Sequence, residues 1–222
     1  MKFVFDENSK NEVLKIRAET YNYLFKVRRF KKGEIVPFRN LKDNFIYFYE
    51  IESVTRREAF LRLKEKEEKI VAPSSRLHLF WCVIDPKTME KTLPMLNEIG
   101  VFKITFVYCE RSQKNFKLDV KRLERILINS CMQCGRSVPP QIEIKNSLKE
   151  VLKEHADITV LDFCEKNEIE FDKIKKIIVG AEGGFSDRER EILSKYSKVG
   201  FKTPLTLKSE TAAVSVCSKI LI

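Results

Sequence analysis

"IIVGAEGGFSDREREIL", Ile177 to Leu193, is the stretch on which the reading of this chain turns. The chain holds seven glycines, and three of them, Gly180, Gly183 and Gly184, fall in this one turn. An apolar, β-branched run leads in and a charged amphipathic segment leads out, so the pattern predicts strand, glycine turn, helix. Ser186 or Asp187 suits the helix N-cap. Such a junction lets a ligand lie against bare backbone. It is not a Walker A loop, because no Gly-Lys-Ser/Thr follows, and it is not GxGxxG, because the spacing is GxxGG with Glu182 inside. A carboxylate there repels phosphate but accepts hydrogen bonds, which favours a ligand with hydroxyls, an amine or a cationic centre. The plainer alternative is a tight turn that simply feeds a helix.

Outward from this turn, apolar strand-like runs alternate with amphipathic segments. "LHLFWCVI", "KITFVYC", "DITVLDF" and "KKIIVG" read as buried strands. Between and after them, "TMEKTLPMLNEIG" reads as a helix closed by Gly100, and "DVKRLERILINSCMQCG" as one running from Asp119 to Gly135. "DREREILSKY" follows the glycine turn, and "SETAAVSVCSKILI" reads as a final helix capped by Ser209. The alternation predicts an α/β fold, a mostly parallel sheet with helices on both faces and ligands at the carboxyl ends of the strands. "VAPSS", Val71–Ser75, is the best linker, so residues 1–72 and 73–222 are the expected domains. "GEIVPF" and "NFIYFYEIESV" give the first a β-rich character. Residues 56–69 remain open between a helix, which propensity favours, and a last barrel strand.

With 222 residues, 43% of them hydrophobic and 33% charged, the composition is that of an ordinary folded protein. No apolar run approaches the roughly 20 residues of a membrane span. "MKFVFDENSKNEV" does not suit a secretory signal, so a cytoplasmic protein is expected. Cys82, Cys109, Cys164 and Cys217 stand singly in apolar surroundings, as small core residues do. Cys131 and Cys134 form one CxxC without a second ligand pair, and His78 and His155 are isolated, so neither a metal site nor a histidine triad is expected. The net charge is +10, and residues 1–72 carry 17 Lys and Arg against 12 Asp and Glu. "FKVRRFKK", Phe25–Lys32, places five cations among aromatics. It is either a solvated cationic face or a surface for RNA, with aromatics available to stack on bases.

Five segments occur in order over more than 100 residues: "NEIG", "ERS", "LERILINSCMQCGRSVPP", "VGAEGGFSDRE" and "LKSETAA". Together they resemble the RsmE family of 16S ribosomal RNA methyltransferases, SPOUT-superfamily enzymes that methylate N3 of one uridine. The matching positions begin with Glu98 and Gly100, then Glu110, Arg111 and Ser112, then Glu124, Arg125, Gln133, Arg136 and Pro139. They continue through Gly180, Glu182 to Ser186 and Glu189, and end with Leu207, Lys208, Glu210, Thr211 and Ala212. Ala181 stands where the family usually has proline, Asn129 and Ser130 where it has Glu-Ala, and Lys208 where it has arginine. Thr203 and Thr206 replace glycine and isoleucine.

The resemblance implies a C-terminal SPOUT domain with a deep trefoil knot, a parallel sheet flanked by helices, and an N-terminal PUA-like β-barrel that binds RNA. It implies S-adenosylmethionine held by three loops: Leu161 and Asp162; Gly180, Glu182, Gly183 and Gly184; and Leu205, Thr206, Leu207 and Ser209. It further implies a homodimer acting on 16S rRNA or the assembled small ribosomal subunit. N3 of uridine is protonated at neutral pH, so a cation near the uracil carbonyls would stabilise the developing anion. Arg111 and Arg136 are the candidates, with a phosphate clamp or inter-helix ion pair as the alternative for each. Glu210 is a candidate base or orienting carboxylate, or simply an acid that suits a helix N-terminus. Lys26, Arg28, Arg29 and Lys208 are assigned to RNA. Two other readings stay open: another SPOUT RNA methyltransferase, such as a ribose 2′-O enzyme, and a non-catalytic RNA-binding ribosome-assembly factor. The retained GxEGG and ETA segments speak against the second.

Overall fold

Short β-branched and aromatic runs broken by turns dominate the first 72 residues, and these runs pair into one sheet. The computed structural model describes residues 1–113, 117–164 and 167–222. It divides into two compact units, Met1–Ala72 with Ile128–Val138, and Pro73–Leu127 with Pro139–Ile222. In the first unit β1 (Val4–Phe5), β2 (Val13–Arg17), β3 (Ile35–Arg39), β4 (Phe45–Val54) and β5 (Glu58–Glu68) lie in the order β1-β3-β4-β5-β2. With β1 and β2 as its two edges, the sheet is a curled half-barrel, the form the expected PUA-like barrel takes here; β1, two residues long, pairs only with β3. Residues 56–69, open between helix and strand, supply β5. Ala59 and Leu61 are buried in alternation, and the strand is paired on both sides, by β4 and β2. That pairing overrides the helix propensity of its Lys and Glu residues.

Between β2 and β3, α1 (Ala18–Tyr21) runs into a π-helical turn, Asn22–Val27, that buries Tyr21 and Leu24. Residues 128–138 group with the first 72 for identifiable reasons. Cys131 is buried with Phe3 and Ile46, Lys2 N donates to Met132 O at 2.8 Å, and Ser137 exchanges hydrogen bonds with Val71.

The second unit has six strands: β6 (His78–Cys82), β7 (Lys103–Val107), β8 (Gln141–Lys145), β9 (Thr159–Leu161), β10 (Lys176–Val179) and β11 (Lys198–Val199). Every neighbouring pair is parallel, in the order β11-β9-β10-β6-β7-β8. The connecting helices are α2 (Pro86–Ile99), α3 (Val120–Cys134), α4 (Leu148–Glu154), α5 (Asp187–Leu193) and α6 (Ser209–Leu221). All five residues of β6 are buried, which is why its sequence shows no polar alternation. From β6 the sheet grows through β7 and β8 on one side and through β10, β9 and β11 on the other. The topological switch point therefore lies between β6 and β10.

Local signals set the helix ends. The Asp85 carboxylate accepts from Thr88 N at the start of α2, and Gly100, at φ +106°, stops it. Ser186 and Glu189 form a capping box on α5. Ser209 is not the cap of α6: Lys208 holds that position, and the Ser209 hydroxyl is used elsewhere. Among the described residues no helix is long and apolar enough to cross a membrane.

Candidate functional site

Beyond Val179, at the end of β10, the chain turns sharply on itself. Gly184 N donates to Ala181 O at 2.8 Å, the two residues form an isolated bridge, and Gly184 sits at φ +68°. A Cβ on Gly180 would lie 3.2 Å from Gly184 Cα, against backbone that has little room to yield. Two of the three glycines therefore answer to the turn's own geometry. Gly183 is different: a Cβ there meets only the Arg111 side chain, at 3.4 Å, an ordinary contact.

The turn is fastened from several directions. Glu189, 3% exposed, accepts from Ser186 N at 3.0 Å and from Glu110 N at 2.9 Å, so one buried carboxylate joins the start of α5 to the "ERS" loop. Ser186 Oγ donates to Glu110 Oε2 at 2.6 Å, and Arg111 Nη1 donates to Gly183 O at 2.6 Å. Arg190 Nη1 pairs with Asp162, just past β9, and its Nε donates to Phe185 O at 3.3 Å. The Ser209 hydroxyl donates to Gly180 O at 2.6 Å and accepts from Trp81 Nε1 at 2.9 Å. On the far side, Gly200 N donates to Asn167 Oδ1, and a Cβ on Gly200 would meet Asp162 O at 2.8 Å. Only glycine allows the segment after β11 to lie so close to the segment after β9.

These segments enclose a cavity of about 540 Å³ at the carboxyl ends of β9 and β10. Its walls are residues 161–164, residues 179–185 with Arg190, and the 201–207 loop with Ser209 and Ala212. The size suits a cofactor, within the roughly 300–1,000 Å³ of small-molecule sites. All ten residues that the resemblance associates with the cofactor line it, from Leu161 and Asp162 through the glycine turn to Leu205–Leu207 and Ser209. Sequence reasoning did not single out Arg190, Phe163 or Phe201. Arg190 finds its partner 28 residues away, so no local spacing marks it.

The other candidate residues lie apart from the cavity lining. Arg111 is exposed and bound to the glycine turn through Gly183 O. Glu210 is the second residue of α6, and its Oε2 is buried with no hydrogen-bond partner among the described residues. Lys208 is exposed. Arg136 belongs to the first unit, where it is 5% exposed and its Nε donates to Val138 O at 2.7 Å; burial lowers its pKa. Lys26, Arg28 and Arg29 also belong to the first unit and are exposed, Arg29 in the left-handed region at φ +59°. The neighbouring aromatics do not stand out for base stacking, because Phe25 and Phe30 pack against the core of that unit.

Two readings of the sequence are corrected by the fold. Cys82 and Cys109 are not separate thiols: the adjacent strands β6 and β7 bring them together as a disulfide. His78 and His155 are not isolated, their rings lying 5.5 Å apart at the amino end of the sheet. There Lys103 and Lys176 flank His78 in register on β7 and β10. Burial, then the nearby Lys103, pushes the His78 pKa down to about 3, so the ring is neutral. Its Nε2 meets Thr105 Oγ1 at 2.7 Å, and Thr105 donates onward to Glu143 at 3.2 Å, so His78 is the donor to Thr105. Burial alone would raise the Glu143 pKa, but hydrogen bonds from Lys103 and Lys145 bring it to about 2. Among the described residues, no group of three or more His, Cys, Asp or Glu side chains is placed to hold a metal ion.

Comparison with known proteins places this geometry. Residues 72–221 match the family described as the RNA methyltransferase domain, and residues 16–64 match the RNA methyltransferase PUA domain. The ribosomal RNA small subunit methyltransferase E of Helicobacter pylori strain 26695 is 41% identical over 222 residues, covering 98% of each chain. A Legionella pneumophila chain solved in complex with S-adenosylmethionine shares the fold, with a TM-score of 0.83 at 24% identity over 98% of this chain and 95% of that one. The ribosomal RNA small subunit methyltransferase E of Neisseria gonorrhoeae, solved bound to S-adenosylmethionine, gives a TM-score of 0.81 at 17% identity, with the same coverage. With near-complete coverage at 41% identity and both domain families matched, the chain belongs to the ribosomal RNA small subunit methyltransferase E (RsmE) family.

Proposed function

We propose that this protein methylates N3 of a uridine in 16S ribosomal RNA, with S-adenosylmethionine bound in the cavity at the carboxyl ends of β9 and β10. The observation that carries the reading is that cavity, walled by a glycine turn and two further loops, in a chain 41% identical to a ribosomal RNA small subunit methyltransferase E. The residues present fit the cofactor. The glycine turn offers backbone rather than side chains, Arg190 neutralises Asp162 on one wall, and the Glu182 carboxylate favours a cationic ligand over a phosphate. When bound, S-adenosylmethionine supplies an electrophilic methyl group on a positively charged sulfur.

The protein's own part is to hold the base and take its proton. Glu210 Oε2, with no hydrogen-bond partner among the described residues, is the candidate acceptor for the N3 proton. The Arg111 guanidinium can stabilise the uracil anion while it steadies Gly183. Residues 73–222 form the methyltransferase domain, knotted at its C-terminal end. Residues 1–72 grip RNA through Lys26, Arg28 and Arg29, with Lys208 contributing phosphate contacts. Phe163 and Leu205, 73% and 69% exposed beside the cavity, favour a homodimer, since a second copy would cover them.

Gly183→Val is the sharpest test of the cofactor site, because Gly183 lines the cavity and a side chain there meets only that of Arg111. Calorimetry on the intact protein should show one S-adenosylmethionine site per chain, which Gly183→Val abolishes while the thermal midpoint stays close to wild type. An intact protein that takes up no S-adenosylmethionine sinks the proposal.

A further inference from the structure

We infer that Trp81 is a positioning residue for this cavity, acting through the Ser209 hydroxyl to hold the glycine turn against the start of α6. Trp81 is the only tryptophan in the chain and is fully buried on β6. It is in register with Val179, the residue before Gly180, across the switch point of the sheet. Its indole N–H donates to Ser209 Oγ at 2.9 Å, and that hydroxyl donates to Gly180 O at 2.6 Å. A hydroxyl has one proton. With the indole N–H on its acceptor side, that proton is committed to the Gly180 carbonyl.

The relay joins three segments far apart in sequence, with separations of 128 and 29 residues. Gly180 and Ser209 both line the cavity and meet there through this bond, whereas Trp81 does not line it. Ser209 opens α6 without serving as its cap, so its side chain is given over to this bridge. Ser209 is 4% exposed and Trp81 fully buried, so water does not replace a lost partner, and buried bonds in series reinforce one another. A phenylalanine would fill most of the same volume. What tryptophan adds is the N–H.

The inference rests on S-adenosylmethionine binding in this cavity, and the test separates the two. Calorimetric titrations with S-adenosylmethionine would compare the intact protein with Trp81→Phe, Ser209→Ala and the double variant. Loss of the Ser209 bridge should weaken binding about tenfold and loss of the indole donor about fivefold, of the order of one or two buried hydrogen bonds. The double variant should bind no more weakly than Ser209→Ala alone, because Trp81 acts only through Ser209. Independent, multiplying losses, or a Trp81→Phe protein that binds as the intact one does, would overturn the inference.

If Trp81→Phe fails to fold, the intact protein still decides. Emission from its single tryptophan should change on addition of S-adenosylmethionine and saturate with the calorimetric Kd. Heat of binding without any change in emission overturns the positioning role and leaves the cofactor reading standing. No heat at all removes the cofactor reading, and the inference with it.

Discussion

The two ends of the parallel sheet solve opposite problems with the same strands. At the amino end, His78 is buried as a neutral ring between the lysines that flank it in register, and Glu143 is gripped by two lysines. Side chains close that end against one another. At the carboxyl end the strands run out into turns that leave backbone facing a cavity, and the side chains work from behind. Glu189, Arg111, Arg190 and Ser209 each hold the turn or its neighbours by hydrogen bonds. A ligand site built from backbone needs this indirect support, because glycine has no side chain with which to fix itself. Changes to the groups that brace the carboxyl-end turns should therefore alter cofactor affinity together with stability, and changes at the amino end should alter stability alone.

Gly200→Ala should strike hardest. Its Cβ would meet the backbone carbonyl of Asp162, and overpacking against backbone should cost about 3 kcal/mol in chemical denaturation. S-adenosylmethionine affinity should fall with it, since Asp162 lines the cavity. Normal affinity in a destabilised variant would break the coupling claimed for this end. Glu189→Ala strands the amides of Ser186 and Glu110 and should cost about 2 kcal/mol, again with weaker cofactor binding by calorimetry.

At the amino end, acid should lower stability through His78. Its folded pKa lies below the unfolded value, so the unfolded chain takes the proton first. The stabilisation is complete above about pH 6.5 and is lost as the pH falls towards 3. Between pH 7 and pH 5 the loss should be about 1–2 kcal/mol by urea titration. The separate loss through Glu143 begins only below about pH 4.5. His78→Gln should shrink the loss in the first window to the part His155 carries, whose pKa burial and then Lys176 also lower, and leave S-adenosylmethionine affinity at pH 7 unchanged. Lys176→Ala removes a partly exposed pair with Asp157 and should cost no more than about 0.5 kcal/mol, with no change in binding.

Much of this architecture can be read from the chain. The unbroken apolar run of β6 implies a central strand, Gly100 implies a helix stop, and the GxxGG spacing after a strand implies a turn with backbone exposed. What escapes such reading depends on distant partners. Gly200 looks like any loop glycine until the segment after β9 lies against it. Ser209 looks like a cap because it precedes Glu210 in a helical pattern, but Trp81 and Gly180 claim its hydroxyl. Residues 56–69 look helical until β4 and β2 pair with them. Cys82 with Cys109, and His78 with His155, meet only because their strands or loops lie side by side. Each misreading follows from the same fact: local propensity is weaker than the tertiary contact that replaces it.

The central claim is that the cavity serves methylation of N3 of a uridine in small-subunit RNA. Its most direct test is to incubate the purified protein with S-adenosylmethionine and with unmodified 16S rRNA or small subunits lacking the modification. The RNA is then digested to nucleosides and analysed by mass spectrometry. The account predicts one 3-methyluridine per RNA, absent with Gly183→Val. A methyl group on a ribose 2′-oxygen, or unmodified uridine with protein that binds S-adenosylmethionine, would contradict it.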